Sequence, residues 1–218
     1  MTRLAVFDLD GTLVDSAPDI HAALDRLAAA RGLAPFGRAE VIGMIGDGVR
    51  ALVERALAAR GQAFDPAALD AFTADYTANA ATLTRLFDGI GQALDALRGQ
   101  GWRLAVCTNK PEAAARELLG ALGLLDGLAA LGGGDSFPVR KPDPRHLLET
   151  IAAAGAMPQG SVMVGDHRND VMAARGAGIP CVFVGWGYGP LHMAEGAPVV
   201  ATPAGLAAEL GAALDRLS

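Results

Sequence analysis

LAVFDLDGTLVDS, residues 4–16, runs from four apolar residues straight into two acids and a glycine. The apolar run predicts a short buried strand, and Asp8 and Asp10 follow at its end. Two carboxylates one residue apart repel each other and lose hydration in a cleft. A bound cation offsets both costs. Gly11 lets the backbone turn closely where a side chain would obstruct it.

The rest of the chain shows what kind of sheet that strand belongs to. From Ser16 the pattern turns helical: Ser16 can cap, Pro18 suits a first turn, and Ile20, Leu24 and Leu27 recur at helical spacing. Further helices are expected over about 48–60 and 66–82. Beyond residue 87 helices alternate with apolar runs: helix 90–100, strand 103–107, helix 112–122, a weak strand near 128–131, helix 144–154, strand 161–164, helix 169–177, strand 181–184. A short strand at 198–200 and a helix from Thr202 close the series. That rhythm predicts an α/β fold with a parallel sheet covered on both faces. The all-helical stretch interrupts it after the first strand and reads as an insertion, with stems at 15–16 and about 86–88.

In an open parallel sheet, ligands bind beyond the carboxyl ends of the strands. Asp8 follows the first strand, Thr108-Asn109 follow RLAVC, and Gly165-Asp166 follow SVMV, while the loop GGGDSFPVRKPDP carries Lys141. Each has a plain structural account: Thr108 as a helix cap, Lys141 as a solvated loop charge, Asp166 and Asp170 as caps of the next helix. Their joint placement on one rim is harder to explain that way. Clustered oxygen ligands with room for phosphate suit Mg²⁺ held by Asp8, Asp10 and Asp166. A hydroxyl and an ammonium beside it suit a phosphoryl group. Asp8 is then the nucleophile that forms an aspartyl-phosphate, and Asp10 the general acid and base. Thr108, the Thr108 and Asn109 amides and Lys141 hold the phosphoryl oxygens, and Asp170 orients Lys141 or a metal-bound water. The chain has sixteen arginines and two lysines, Lys110 and Lys141. Lys141 falls inside the constellation, and Lys110 either joins it or starts the next helix.

FDLDGTLVDS, CTNKP, RKPDP and GDHRND, in that order, resemble the four motifs of the haloacid dehalogenase-like hydrolase superfamily. The resemblance spans nearly the whole chain. It implies a Rossmann-like core over 1–15 and 87–218, with an inserted all-helical cap domain over 16–86 that closes over the substrate. IGDGVRALVERAL, FDGI, VCTNKPE, AARGAG and GWGYGP resemble the phosphoglycolate phosphatase branch, which implies 2-phosphoglycolate as substrate. Three positions depart from the commoner family forms: His167 stands in place of serine, Asp143 in place of histidine or glutamate, and LTRLFDGI lacks the usual tyrosine-proline-glycine. His167 is then a candidate to alter the metal's outer shell. The turn Gly46-Asp47-Gly48 is expected to face the core, and Arg50 reads as an exposed helix charge or as a partner for a substrate carboxylate. Arg168 reads as a rim or surface charge, and His21 and His192 have no identifiable partner.

Composition narrows the partners. With 24 acids against 18 bases and a net charge of −6, nucleic acid is not expected. No stretch reaches membrane-spanning length and no leader pattern opens the chain, so a cytoplasmic location is expected. Cys107 and Cys181 sit in apolar runs and read as core thiols. The expected partner is a small phosphorylated metabolite, for a monomer or homodimer. Other enzymatic readings are a sugar-phosphate phosphatase, a pyrophosphatase or a sugar phosphomutase. A receiver-type phospho-acceptor module is the non-enzymatic reading, against which Asp10 and the large insertion both count, and an idle scaffold is the third. A dehalogenase would need neither Asp10 nor a metal site, and the insertion holds no lysine for a phosphonatase Schiff base.

Overall fold

Chain order explains the sheet. After β1 (Arg3–Phe7) come β2 (Val14–Asp15), four helices, α1 (Ala17–Ala30), α2 (Arg38–Ile42), α3 (Val49–Ala58) and α4 (Pro66–Asn79), and then β3 (Arg85–Leu86). Helices and strands then alternate: α5 (Ile90–Gly99), β4 (Trp102–Cys107), α6 (Glu112–Ala121), β5 (Ala130–Gly132), α7 (Pro144–Ala153) and β6 (Ser161–Gly165). They end with α8 (Arg168–Ala177), β7 (Cys181–Val184), β8 (Val199–Val200) and α9 (Leu206–Asp215). The computed structural model describes residues 2–216; residues 1, 217 and 218 of the expected core lie outside the described residues.

The main sheet has strand order β5-β4-β1-β6-β7-β8, with every pair parallel. The chain builds outward from β1 to β5, returns to β6 on the other side of β1, and builds outward again. The switch point therefore lies at the carboxyl ends of β4, β1 and β6. Phe7 pairs with both Val106 and Val164, so the three strands end level with one another.

Alternation along each strand divides the core. Ala5, Phe7, Leu104, Val106, Val162 and Val164 face α5, α6 and α9. Leu4, Val6, Ala105, Met163 and Phe183 face α7 and α8. Cys107 and Cys181 lie buried and unbridged in that second layer, as expected of core thiols. Burial pushes the Cys107 thiol up to about 12, so it stays protonated.

The helical segment has its own apolar centre, built from Ile20 and Leu24 of α1, Val41 of α2, Leu52 and Val53 of α3, and Phe72 of α4. Helix α4 starts as its sequence implies: Pro66 takes the first position and the Asp65 carboxylate accepts from Ala67 N at 2.9 Å. At the stems, β2 and β3 pair antiparallel, joining Val14 to Leu86 and Asp15 to Arg85. Asp19 fastens the same place from within α1, accepting from Thr84 N at 2.8 Å and Thr84 Oγ1 at 2.7 Å.

Three details differ from the sequence reading. Ser16 occupies the N-cap of α1 but makes no side-chain capping bond; the Tyr188 hydroxyl accepts from Ala17 N at 2.9 Å instead. The weak strand is displaced to Ala130–Gly132, because its register is set by pairing with Ala105–Cys107 of β4. Helix α2 and the β2–β3 ribbon were not anticipated, being too short for any periodicity to show.

Candidate active site

The level strand ends bring Asp8, Thr108 and Asp166 to one rim, and the loop before α7 delivers Lys141 between them. Asp8 anchors itself first. Its amide donates to Val164 O at 2.8 Å, and its Oδ1 accepts from Leu9 N at 2.7 Å and sits 2.9 Å from Lys141 Nζ. Its Oδ2 has no hydrogen-bond partner among the described residues. One carboxylate oxygen is fixed and the other is free to react.

Lys141 is 2% exposed and lies between Asp8 and Asp170, whose Oδ1 is 2.7 Å from Nζ. These carboxylates hold its pKa above the ordinary lysine value despite burial, so the ammonium is charged throughout the working pH range. Asp170 also accepts from His167 N at 3.0 Å, closing the capping box of α8. The Asp170 carboxylate therefore meets both Lys141 and the first turn of α8. A Cβ at Gly165 would collide with the Asp170 carboxylate, which explains the glycine there.

Asp166 is buried and fully dressed: Oδ1 accepts from Thr12 Oγ1 at 2.8 Å, and Oδ2 from Tyr188 N at 2.8 Å and Gly189 N at 3.2 Å. The glycine-rich loop GWGYGP lies against it so closely that a side chain at Gly187 or Gly189 would run into Asp166. Gly11, at φ +83°, is constrained twice, by that dihedral and by the nearby Asp166 carboxylate.

Asp8, Asp166 and Asp170 each offer an oxygen within 4.8 Å of the others. The expected trio had Asp10 instead of Asp170. The Asp10 carboxylate turns to Lys110, 3.0 Å from Nζ, a partner the local sequence could not show. Burial, aided by Asp170 and opposed by Lys141 and the Leu9 amide, raises Asp8 to about 6. Burial and the neighbouring acids raise Asp166 to about 7. Three buried carboxylates against one lysine leave the cluster short of positive charge, and its hard oxygen donors fit a divalent cation.

Thr108 differs in part from expectation. The Thr108 amide donates to Gly132 O at 2.9 Å in the sheet and is not available to a phosphoryl group. Its hydroxyl accepts from Lys110 N at 3.2 Å and keeps its proton to donate. It does not cap α6, where Glu112 N donates to Asp135 Oδ1 at 2.7 Å. The Asn109 side chain donates to Gly46 O at 3.1 Å and Lys141 O at 3.0 Å.

Gly46 and Asp47 do face the core: Asn169 Nδ2 donates to Gly46 O at 3.2 Å and Asp47 Oδ1 at 2.7 Å. The helical segment is thus docked over the rim. Two small cavities remain beside Asp8 and Asp10. One, of about 40 Å³, is lined by Ile45, Val49, Leu52, Tyr76 and Lys110. The other, of about 70 Å³, lies toward Asp166 and His167. His167 packs its ring where a Gly46 Cβ would stand, at 2.8 Å, and burial lowers its pKa.

Several residues fall outside the site. Arg50 is exposed and stacks on Phe64 at 4.4 Å. Arg168 pairs with Glu195 at 2.6 Å. His21 does have partners, Phe36 O at 2.6 Å and Asp25 at 3.4 Å. Sequence reasoning missed His146, buried beneath Lys141: its Nδ1 accepts from Lys141 N at 3.2 Å, and its Nε2 lies 2.9 Å from Gly133 O. Burial drives it down to about 4, so it stays neutral and can accept that bond. Its place three residues after Asp143 was the available signal.

Residues 2–178 match the family model of haloacid dehalogenase-like hydrolases. The chain belongs to this family. A phosphoglycolate phosphatase of Cereibacter sphaeroides is 48% identical over 193 residues, 86% of this chain and 88% of that protein. One from Agrobacterium fabrum is 44% identical over 204 residues, 92% of this chain and 88% of that protein. A crystal structure described as a predicted phosphoglycolate phosphatase from Haemophilus somnus superposes with a TM-score of 0.86 at 30% identity, covering 94% of this chain and 96% of that one. The Rossmann-like α/β fold with its helical insertion is therefore that of the haloacid dehalogenase-like hydrolases. No described helix is long and apolar enough to cross a membrane.

Proposed function

We propose that this hydrolase is a Mg²⁺-dependent phosphatase that converts 2-phosphoglycolate to glycolate and phosphate through an aspartyl-phosphate on Asp8. The observation that carries the reading is Asp8 itself: a buried carboxylate with one oxygen anchored by Lys141 and Leu9, the other free, and Asp10 beside it in a cavity of about 40 Å³. That cavity is small and lies directly beside both carboxylates. A two-carbon leaving group suits it better than a hexose. The names of the 48% and 44% identical relatives point to the same substrate.

Asp8 and Asp166 would hold the cation, with Asp170 kept on Lys141; Asp10, also expected as a ligand, is assigned to proton transfer. Bound Mg²⁺ supplies positive charge that offsets the clustered acids and polarises a phosphoryl oxygen. Asp8 Oδ2 attacks phosphorus, the P–O bond to glycolate breaks, and Asp10 gives its proton to the departing oxygen. Lys141 and the Thr108 hydroxyl stabilise charge on the phosphoryl oxygens. Asp10, now ionised, takes a proton from water, which attacks phosphorus and frees Asp8. The helical segment 16–86 acts as the cap that excludes bulk water during both steps. We place the enzyme in the cytoplasm, as a monomer or homodimer.

Asp10→Asn tests the two-step scheme. Its kcat on 2-phosphoglycolate falls about 10²–10⁴-fold, the worth of a positioned acid and base. Acetyl phosphate, whose leaving group needs no proton, still phosphorylates Asp8. A rapid-quench experiment then shows a burst of about one acetate per chain before slow turnover. Equal loss on both substrates with no burst contradicts the role given to Asp10.

The cation has its own test. Asp8 and Asp166 have folded pKa values, about 6 and about 7, above the usual carboxylate value of 3.8. The metal-free fold therefore binds more protons than the unfolded chain, and its stability falls as pH rises from about 4 through 7. A cation that neutralises the ionised acids reverses that loss. The rise in Tm on adding Mg²⁺ is expected to be larger at pH 8 than at pH 5 by scanning fluorimetry. A rise equal at both, or larger at pH 5, contradicts it.

A further inference from the structure

Lys110 has no part in the scheme above, yet it is the one Lys or Arg side chain among the described residues lining the two cavities beside Asp8. It is 4% exposed. Burying an ammonium is costly, and a lysine that merely began α6 would point to solvent. Its Nζ lies 3.0 Å from Asp10 Oδ1, donates to the Tyr76 hydroxyl, and sits 4.3 Å from the Tyr76 ring centroid. Tyr76 belongs to α4, so the contact crosses the seam between the core and the helical segment.

An inventory of donors gives the chemistry. A lysine ammonium has three N–H donors and no acceptor. Two are engaged among the described residues, one on Asp10 and one on Tyr76. The Tyr76 oxygen accepts from Lys110, so its own proton remains to be given, and no acceptor for it occurs among the described residues. Two unused donors, one of them charged, therefore meet beside a small cavity that has Asp8, Asp10 and Thr108 on one side and the apolar Ile20, Ile45, Val49 and Leu52 on the other. Such a pair asks for an anionic acceptor with two oxygens.

We propose that Lys110 and Tyr76 form the subsite for a carboxylate on the leaving group, one donor coming from the core and one from α4. The inference rests on the phosphatase reading and assigns the groups that select its substrate. It also accounts for the lysine in an arginine-rich chain: a compact ammonium fits between Asp10 and Tyr76 where a planar guanidinium would not. Because the two donors sit on opposite sides of the seam, an anionic leaving group favours the docked arrangement over an open one. A neutral leaving group gains none of this.

The test compares 2-phosphoglycolate with ethyl phosphate, a neutral ester of similar size, in the full-length protein with Mg²⁺. The readout is the ratio of their kcat/KM values, from which any effect of Lys110 on Asp10 cancels. The unmodified enzyme is expected to favour 2-phosphoglycolate by at least about 100-fold. Lys110→Met cuts that ratio about 10- to 100-fold, the worth of a charged hydrogen bond, chiefly through KM for 2-phosphoglycolate. Tyr76→Phe, the milder change, cuts it about three- to tenfold and guards against a folding defect in the first variant. If both esters lose the same factor in both variants, the pair supports Asp10 or the fold and the carboxylate subsite is overturned. If the unmodified enzyme hydrolyses esters but does not favour 2-phosphoglycolate over ethyl phosphate, the substrate reading itself fails, which is a separate result.

Discussion

Asp8→Asn removes steady-state turnover, lowering kcat by at least about 10⁴-fold on every phosphate ester, while the fold persists. The size follows from the chemistry: an amide cannot form the acyl phosphate through which both half-reactions pass. The persistence follows from the electrostatics. Asp8 is buried, and burial raises its pKa to about 6, so ionising it opposes folding in the metal-free protein. Asparagine keeps an oxygen for Leu9 N and Lys141, bonds that now hold Asp8 Oδ1, and removes that cost. Its metal-free Tm at pH 8 is therefore expected to equal or exceed that of the unmodified protein, measured alongside activity. A variant that keeps more than a hundredth of the turnover contradicts Asp8 as nucleophile. One that loses turnover only because it unfolds leaves the electrostatic account wrong.

Lys141→Met is the second large effect, and it falls on stability and activity together. Methionine matches the lysine stem but leaves Asp8 and Asp170, now 2.9 and 2.7 Å from the ammonium, without their shared cation. Breaking a buried ion pair costs about 3–5 kcal/mol. For a chain of 218 residues that lowers the metal-free Tm by roughly 6–20 °C. Turnover falls as well, since nothing then neutralises the phosphoryl oxygens from that side. The partner change separates the two losses. Adding Asp170→Asn removes one stranded charge yet keeps an acceptor for His167 N, so the double variant regains a large part of the lost Tm and none of the activity. Calorimetry with Mg²⁺-dependent phosphate release checks both. If the double variant is less stable than Lys141→Met, the charges are not what Lys141 balances.

The parts legible from sequence were those written locally. Continuous apolar runs marked β1, β4, β6 and β7, because strands buried on both faces need no polar alternation. Asp8, Thr108 and Asp166 stood immediately after those runs, so the topology of a parallel sheet was enough to collect them on one rim. Family membership and the helical layer over Asp8 now favour a hydrolase over a receiver-type switch. What stayed hidden were partnerships between distant segments. Tyr188 replaces Ser16 as the cap of α1, Asp19 holds Thr84 at the stem, and Tyr76 reaches Lys110 across the seam. Periodicity records which face of a helix is buried, not what it meets. Glycines gave a middle case: GWGYGP was visible as a pattern, but only the closeness of Asp166 explains Gly187 and Gly189.

The most direct test of the central claim is steady-state phosphate release over a panel of 2-phosphoglycolate, hexose phosphates, nucleotides and pyrophosphate, with Mg²⁺ and with EDTA. The account predicts many turnovers per chain, the highest kcat/KM for 2-phosphoglycolate, and loss of activity in EDTA. Release of a single phosphate per chain, or none from any ester, contradicts the phosphatase, and a hexose phosphate or pyrophosphate in the lead contradicts the substrate.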